Sequence, residues 1–353
     1  MWIIGCDFHS RFQQIAFVNT ETGEYGERRL AHPEEAEKFY RQLQGQRVRV
    51  GMEAGGQSRW FERLLAELGH ELWLGDPAEI RARCVRKQKT DRRDGHHLWQ
   101  LMMDGRFPTI WVPPAEERDV RQLLMHRHRL VQTGTRFKNQ MQAIARNEAL
   151  PPKPGLWSRK GRERFEAVSL PKWTAQRRKD GLELLDELGS RIAPLDEALI
   201  QEGQSRPEVV RLRTHPGVGP VTALAFVLTI GDPKRFACGK QVASYLGLIP
   251  SEHSSGGRQR LGHISKQGNA LLRGLLVEAA HRVGNDPKLG RTYRRLAVRK
   301  GSSIAAVAIA RKLAVRLWWM WLRGLDYGQI VQPASHAGKS PSSPVGCDKS
   351  PSC

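Results

Sequence analysis

Residues 2–31, WIIGCDFHSRFQQIAFVNTETGEYGERRLA, decide how the front of this chain folds. WIIGCDF is a short apolar run that ends in an acid, QQIAFVN is a second run, TETGEYG is a turn by composition, and ERRLAH closes the segment. Apolar runs this short, separated by a Gly-containing turn, predict strands and a hairpin. PEEAEKFYRQLQ (33–44) opens with Pro and acids and then spaces its apolar residues, which marks the start of a helix. RVRVGMEA predicts a fourth strand, and SRWFERLLAELGH an amphipathic helix that ends at Gly69. ELWLGD predicts a fifth strand, PAEIRARCV a short helix, and DRRDGHHLWQLMMDG (91–105) another helix, with Gly95 as its weak point. Three strands, then helix, strand, helix, strand, helix implies an α/β domain whose central sheet carries helices on its faces.

The rest of the chain has a different texture. FPTIWVPPAEE is a Pro-rich linker, followed by EERDVRQLLMHRHRLVQTGTRFKNQMQAIARNEAL, which predicts one long basic helix. Residues 151–173 are rich in Pro, Gly, Lys and Arg and predict an irregular insert. AQRRKDGLELLDELGSRIAPLDEALIQEG is helical again and predicts a coiled-coil-like arm with the earlier long helix. From about Arg206 the pattern is helix, tight turn, helix, then a Gly/Ser-rich loop and further helices, the last carrying Trp318, Trp319 and Trp321. The predicted division is therefore 1–107, 108–205, 206–330 and a low-complexity, disordered tail at 331–353.

Charge separates these parts further. The formal net charge is +21 over 353 residues, which calls for a polyanionic partner. Residues 1–95 hold 16 Lys/Arg against 15 Asp/Glu, whereas residues 251–330 hold 15 against 4. The front is nearly neutral and the back strongly basic. The five cysteines are scattered without a C-x-x-C pair, which argues against a disulfide framework or a zinc site. No apolar run approaches the roughly 18 residues of a membrane span, and the start lacks signal-peptide character. The expectation is a cytoplasmic protein with no membrane partner.

Four acids stand out by placement. Asp7 ends the first strand, Glu53 ends the fourth, and Asp91 and Asp94 open the helix after the fifth. Positions three apart on a helix share a face. Clustered carboxylates repel one another and persist where a hard divalent cation such as Mg²⁺ neutralises them. Singly, Glu53 reads as a surface acid and Asp91 as a helix N-cap. As a set they fit phosphodiester chemistry with metal-stabilised attacking and leaving oxygens.

GCDFH (5–9), GMEAGG (51–56) and KQKTDRRDG (87–95), in this strand order, resemble the RuvC-like branch of the ribonuclease H fold. They resemble more closely the DEDD transposases of the insertion-sequence one-ten family, relatives of the Piv DNA invertase. The resemblance spans roughly residues 1–330. It implies a catalytic, metal-binding tetrad of Asp7, Glu53, Asp91 and Asp94, with Mg²⁺ as the ion and Mn²⁺ as the alternative. It also implies DNA partners (element ends and target), a structured non-coding guide RNA, a homo-oligomer (dimer or tetramer) and a bacterial, nucleoid-associated setting.

Two stretches of the mostly α carboxy-terminal part carry the rest. THPGVGPVTA (214–223) sets Gly217 and Gly219 in a turn between helices and resembles a helix-hairpin-helix, a fitting contact for a phosphate; a plain tight turn fits the same letters. YLGLIPSEHSSGGRQRLGHISKQGN (245–269) resembles the family's serine-glycine motif. That resemblance implies a serine nucleophile that forms a phosphoserine link to DNA: Ser255 first, Ser254 as the adjacent alternative. Arg258, Arg260, Lys266 and Arg273 are candidate phosphate contacts. The alternatives are a RuvC-like nuclease that hydrolyses with water and a non-catalytic nucleic-acid-binding protein.

Overall fold

A computed structural model describes residues 1–83, 91–150, 155–252 and 260–331. The chain divides into two compact units, Met1–Val112 and Pro113–Cys353.

The first unit is built on a five-stranded sheet in the order β3-β2-β1-β4-β5. Its strands are β1 (Trp2–Phe8), β2 (Phe12–Asn19), β3 (Tyr25–Ala31), β4 (Val48–Glu53) and β5 (Glu71–Gly75). β1, β2 and β3 run antiparallel, and β4 and β5 run parallel to β1. Helices α1 (Glu34–Gln42), α2 (Arg59–Glu67), α3 (Pro77–Ala82) and α4 (Asp91–Met103) complete the unit. This mixed sheet with helices is compatible with the expected ribonuclease H-like α/β arrangement.

Alternation along the strands sorts two cores. Trp2, Ile4, Cys6, Ile15, Phe17, Val48, Val50 and Met52 pack against Phe39 and Tyr40 of α1 and Phe61, Leu64 and Leu65 of α2. The odd-numbered positions of β1 and β4 face the other way. There Ile3 packs with Leu98, Leu101 and Met102 of α4 and with Phe107. Each fully buried side chain of this size contributes about 1.5–3 kcal/mol relative to exposure.

Gly95 does not break α4. A Cβ at Gly95 would lie 2.9 Å from the Gln14 carbonyl oxygen, and one at Gly5 would lie 2.3 Å from Trp99 N and 2.4 Å from Gly95 O. The two glycines let helix and strand backbones touch, so packing outweighs the helix penalty of about 1 kcal/mol for glycine.

The second unit begins with α5 (Ala115–Asn147), which pairs antiparallel with α7 (Lys172–Gln204). Each helix is 33 residues long, roughly 50 Å. Register is set by Arg127–Asp196 at 2.8 Å, by Gly134 opposite Leu185 and Leu188, and by Gly181 against Met141. The predicted irregular insert needs correcting. α6 (Arg159–Ala167) lies within it, capped by Ser158, with Leu156, Gly161 and Phe165 buried. Its cationic composition hides a single apolar stripe.

Beyond the arm come α8 (Pro207–Leu212), α9 (Pro220–Ile230), α10 (Gly239–Tyr245), a two-stranded hairpin of β6 (Pro250–Glu252) and β7 (Leu261–Ile264), then α11 (Ala270–His281), α12 (Pro287–Lys300), α13 (Ser302–Arg323) and α14 (Tyr327–Val331). Residues 222–230 of α9 are buried on every side, so α9 is the centre of this core. Among the described residues no helix is long and apolar enough to cross a membrane. The predicted disordered tail lies outside the described residues from position 332 onward.

Candidate functional site

Strand register brings Asp7 and Glu53 together. Cys6 pairs with Met52 across the parallel β1–β4 ladder, so Asp7 and Glu53 are the next positions along, on adjacent strands about 5 Å apart. Both follow the parity of Gly5 and Gly51, the two positions that α4 covers: a Cβ at Gly5 would meet Trp99 and Gly95, and one at Gly51 would meet Met102. Both acids therefore lie on the α4 face, at the carboxyl ends of their strands.

The same glycine contacts fix where α4 begins. Gly95 sits over Gln14, and Gln14 is the cross-strand partner of Asp7. The amino end of α4 is thus at the Asp7 end of the sheet. Asp94 is half-buried on the stripe that continues into buried Leu98 and Leu101, whereas Arg92 and Arg93 are exposed. Arg92 is ion-paired to Glu27 of β3. Asp91 opens α4, one turn before Gly95; its side chain lies outside the described residues, as do residues 84–90.

Asp7 and Glu53 thus share one face and one end of the sheet, and Asp94 lies in the first turn of the helix that covers that face, which Asp91 opens. Asp7 is 20% exposed and its Oδ2 lies 3.0 Å from His9 Nε2. His9 stacks on Phe12, with ring centroids 4.6 Å apart, and the Arg29 guanidinium lies over the Phe12 ring, 3.8 Å from its centroid. Sequence reasoning passed over His9, although it stands in GCDFH two residues from Asp7. Glu53 is exposed at its strand end. Carboxylate oxygens suit a hard divalent cation. Among the described residues, no three Asp, Glu, His or Cys side chains already form a group that could hold a metal ion.

In the second unit the hairpin β6–β7 forms the stem of the serine loop, with Glu252 paired to Leu261 and Ser251 Oγ donating to the His263 carbonyl at 3.0 Å. Ser254, Ser255 and Arg258 lie outside the described residues. Arg260 and Lys266 are exposed, and Lys266 has φ +56°. Arg273 Nη1 donates to the carbonyls of Gln267 (2.7 Å) and Leu246 (3.2 Å), which anchors the loop ahead of α11. Gly217 and Gly219 lie in the α8–α9 turn, with different tasks. Gly217 has φ +84°, and a Cβ there would sit 2.9 Å from the Ala279 carbonyl, so its role is packing against α11. Gly219 is exposed at the N-cap of α9, with open space around it.

A buried polar cluster beneath this turn escaped the sequence reading. Asp286 is 1% exposed. Its Oδ1 accepts from the backbone N–H of Lys288 at 2.9 Å and of Leu289, capping α12. Its Oδ2 accepts from Arg316 Nη1 and, at 2.9 Å, from the Tyr327 hydroxyl. Burial alone would raise the Asp286 carboxyl; the Leu289 N–H, the Arg316 charge and Tyr327 outweigh it and hold it below the usual carboxylate range. Burial, with the Asp286 carboxylate second, pushes Tyr327 up to about 12. His215, also 1% exposed, is pushed by burial down to about 4, against the opposing bond to the Pro216 carbonyl and with Arg316 adding to the shift. The carbonyl can only accept, so Nδ1 of His215 carries the proton (2.8 Å to Pro216 O) and Nε2 accepts from Arg316 Nη1 at 3.2 Å. At neutral pH the 3.8 Å approach of His215 to Asp286 is therefore not an ion pair.

Comparison with known proteins follows the same division. The family model described as "Transposase IS116/IS110/IS902 family" matches residues 209–294, and a DEDD model of the IS110 type, described as "Transposase", matches residues 4–147. A "Probable family 20 transposase" of Pseudomonas aeruginosa is 29% identical over 339 residues, covering 92% of this chain and 98% of its own length. The transposase for insertion sequence element IS1111A of Coxiella burnetii is 30% identical over 298 residues, 79% of each chain. The transposase for insertion sequence element IS1328 of Yersinia enterocolitica is 26% identical over 288 residues, covering 79% of this chain and 85% of its own.

Proposed function

The chain belongs to the IS110 family of transposases and is a DNA transposase; from that premise we propose that it cuts and rejoins DNA with Asp7, Glu53, Asp91 and Asp94 and through a phosphoserine link at Ser255 or its neighbour Ser254. The observation that carries this reading is the pairing of Asp7 and Glu53 at adjacent parallel strand ends, with the start of α4 brought to them by the Gly5–Gly95 contact.

The four carboxylates would hold a divalent cation, Mg²⁺ with Mn²⁺ as the alternative, which supplies charge stabilisation at the attacking and leaving oxygens of a phosphodiester exchange. His9, 3.0 Å from Asp7, orients that carboxylate. The serine oxygen bonds to phosphorus as one bridging P–O bond of the strand breaks, and the hydroxyl proton leaves as the departing oxygen gains one. Rejoining reverses these bond changes and frees the serine, so the energy of the cleaved bond is conserved. The RuvC-like reading of the sheet, the helix-hairpin-helix reading of α8 and α9, a structured guide RNA that selects sequence by base pairing, and a dimer or tetramer assembled through the α5–α7 arm belong to the same proposal. Within the α8–α9 turn, Gly219 is the glycine open to a phosphate. Arg260 and Lys266 are exposed cations on either side of β7.

The test is adduct trapping on labelled element-end DNA with full-length protein, divalent ion and co-expressed RNA. A covalent adduct is expected with the native chain. It disappears in Ser255→Ala, or in Ser254→Ala if that serine is the nucleophile, and in Asp7→Asn and Glu53→Gln, while DNA binding persists in all four. Undiminished cleavage without an adduct in both serine variants assigns hydrolysis instead. Intact strand exchange in Asp7→Asn and Glu53→Gln sinks the acidic site.

A further inference from the structure

α12 carries Lys288, Arg291, Arg294, Arg295, Arg299 and Lys300 and no acidic residue. All six side chains are exposed. Ion pairs in the second unit engage Arg127, Arg159, Arg162, Lys179, Arg191, Arg206, Arg211 and Arg316, and among the described residues none engages the cations of α12. Lys288, Arg291, Arg295 and Arg299 follow one another at steps of three, four and four. They form one stripe along roughly 16 Å of the helix. A shallow cleft of about 330 Å³ runs along it, lined by Pro287, Lys288, Arg291, Thr292 and Arg295.

The stripe is held rigidly from behind. Leu289 and Gly290 are buried, and a Cβ at Gly290 would sit 2.6 Å from the Gly284 carbonyl. Asp286 caps the first turn, and Tyr293 on the inner side bonds His281 of α11 at 3.0 Å. Like charges four apart on a helix oppose its formation. Arg291, Arg295 and Arg299 therefore carry a standing repulsion that a polyanion relieves. Guanidinium forks match phosphate oxygens, and the uncharged polar side chain lining the cleft, Thr292, already donates its hydroxyl to the Lys288 carbonyl at 2.8 Å, which leaves little with which to read a base edge.

We propose that this face of α12, formed by Lys288, Arg291, Arg295 and Arg299, is a sequence-independent docking surface for the phosphate backbone of duplex DNA. The choice of duplex DNA rests on the transposase reading; the surface itself rests on charge and geometry. Duplex DNA offers on the order of ten phosphates over this length, so the whole stripe can be neutralised at once.

The experiment measures binding of the full-length protein to a random-sequence duplex across a salt series. Four proteins are compared: native, Arg291→Gln/Arg295→Gln, Arg291→Lys/Arg295→Lys, and Arg59→Gln/Arg63→Gln, which removes the same charge from exposed positions of α2. Loss of two phosphate contacts is expected to flatten the slope of log K against log salt by about 1.8 in the first double variant. Its low-salt affinity is expected to fall about tenfold or more. The lysine pair should keep most of the native slope, and the α2 pair should stay close to native. Helix content and melting temperature check that each variant is folded. An unchanged slope in Arg291→Gln/Arg295→Gln, or an equal loss in the α2 pair, overturns the proposal. So does a loss confined to folded RNA with duplex binding intact. The assay reads binding alone, so it gives the same answer in an Asp7→Asn background and stands or falls apart from the cleavage chemistry.

Discussion

Asp7 and Asp286 are both aspartates with a histidine beside them, and their surroundings differ. Asp286 is almost fully enclosed, and its two oxygens are taken up by two backbone N–H groups, Arg316 and Tyr327. Asp7 stands at a strand end, 20% exposed, with His9 on one oxygen and Glu53 at the adjacent register. A carboxylate saturated by its own chain holds elements together. A carboxylate at an accessible strand end, beside a second acid, can be reached from solvent. On the proposed function, position rather than residue type separates the two acids.

The largest expected effect tests this directly. Asp7→Asn keeps the shape and a hydrogen-bonding oxygen for His9 but removes the charge. DNA cleavage should fall by about a thousandfold or more, equivalent to about 4 kcal/mol of barrier, while the melting temperature stays within a few degrees of native. Asp286→Ala should do the reverse to stability. It leaves Arg316 without its carboxylate and α12 without its cap, and a urea titration should show a loss of about 3–5 kcal/mol. The contrast between the two acids collapses if Asp7→Asn destabilises the fold as much as Asp286→Ala, or if Asp286→Ala leaves the urea midpoint in place.

The same cluster predicts a pH dependence, next in size. His215 has its ordinary pKa near 6.5 in the unfolded chain and about 4 when folded. Between those values the unfolded chain binds the extra proton, so stability rises with pH and is lost on acidification from about 6.5 towards 4. About 2 kcal/mol of this loss falls between pH 6.5 and 5, above most carboxylate titration. Burial also lowers His32 and His128, which act in the same sense. Comparing urea midpoints of the native chain and His215→Gln over that window isolates the His215 share. Parallel curves for the two proteins would remove His215 from the account.

Why the sequence revealed Asp7 and Glu53 but not Asp286 has a physical explanation. Asp7 and Glu53 each close a run that reads as a strand, so the sequence alone places both at strand ends. Asp286 is a lone acid before Pro287, and its partners Arg316 and Tyr327 are 30 and 41 positions away, with His215 71 positions earlier. No local pattern connects them. α6 was hidden because one buried stripe, Gly161 and Phe165, lies within a cationic composition. The β6–β7 hairpin was hidden because strands of three and four residues are too short to show alternation. The faces of the arm helices were legible from apolar spacing, but their register depends on Arg127–Asp196 and on Met141 against Gly181, which are tertiary facts.

The glycines of the α4 face are the hardest case, and they offer the finest test of how the acidic end is positioned. Gly5 and Gly51 are equivalent in sequence, each two residues before an acid at the end of a parallel strand. Their surroundings differ. A Cβ at Gly5 would meet backbone, Trp99 N at 2.3 Å and Gly95 O at 2.4 Å, and backbone cannot step aside without moving α4. A Cβ at Gly51 would meet Met102 Sδ at 2.2 Å, and a methionine side chain can take another rotamer. Gly5→Ala should therefore cost about 1–3 kcal/mol in a urea titration and displace the start of α4, so that cleavage falls along with stability. Gly51→Ala should cost less, about 1 kcal/mol or under, with cleavage largely retained. Equal costs would mean that Met102 is as immovable as the helix backbone. A Gly5→Ala protein with native stability and native cleavage would mean that the close contact between α4 and β1 does not set the position of Asp91 and Asp94.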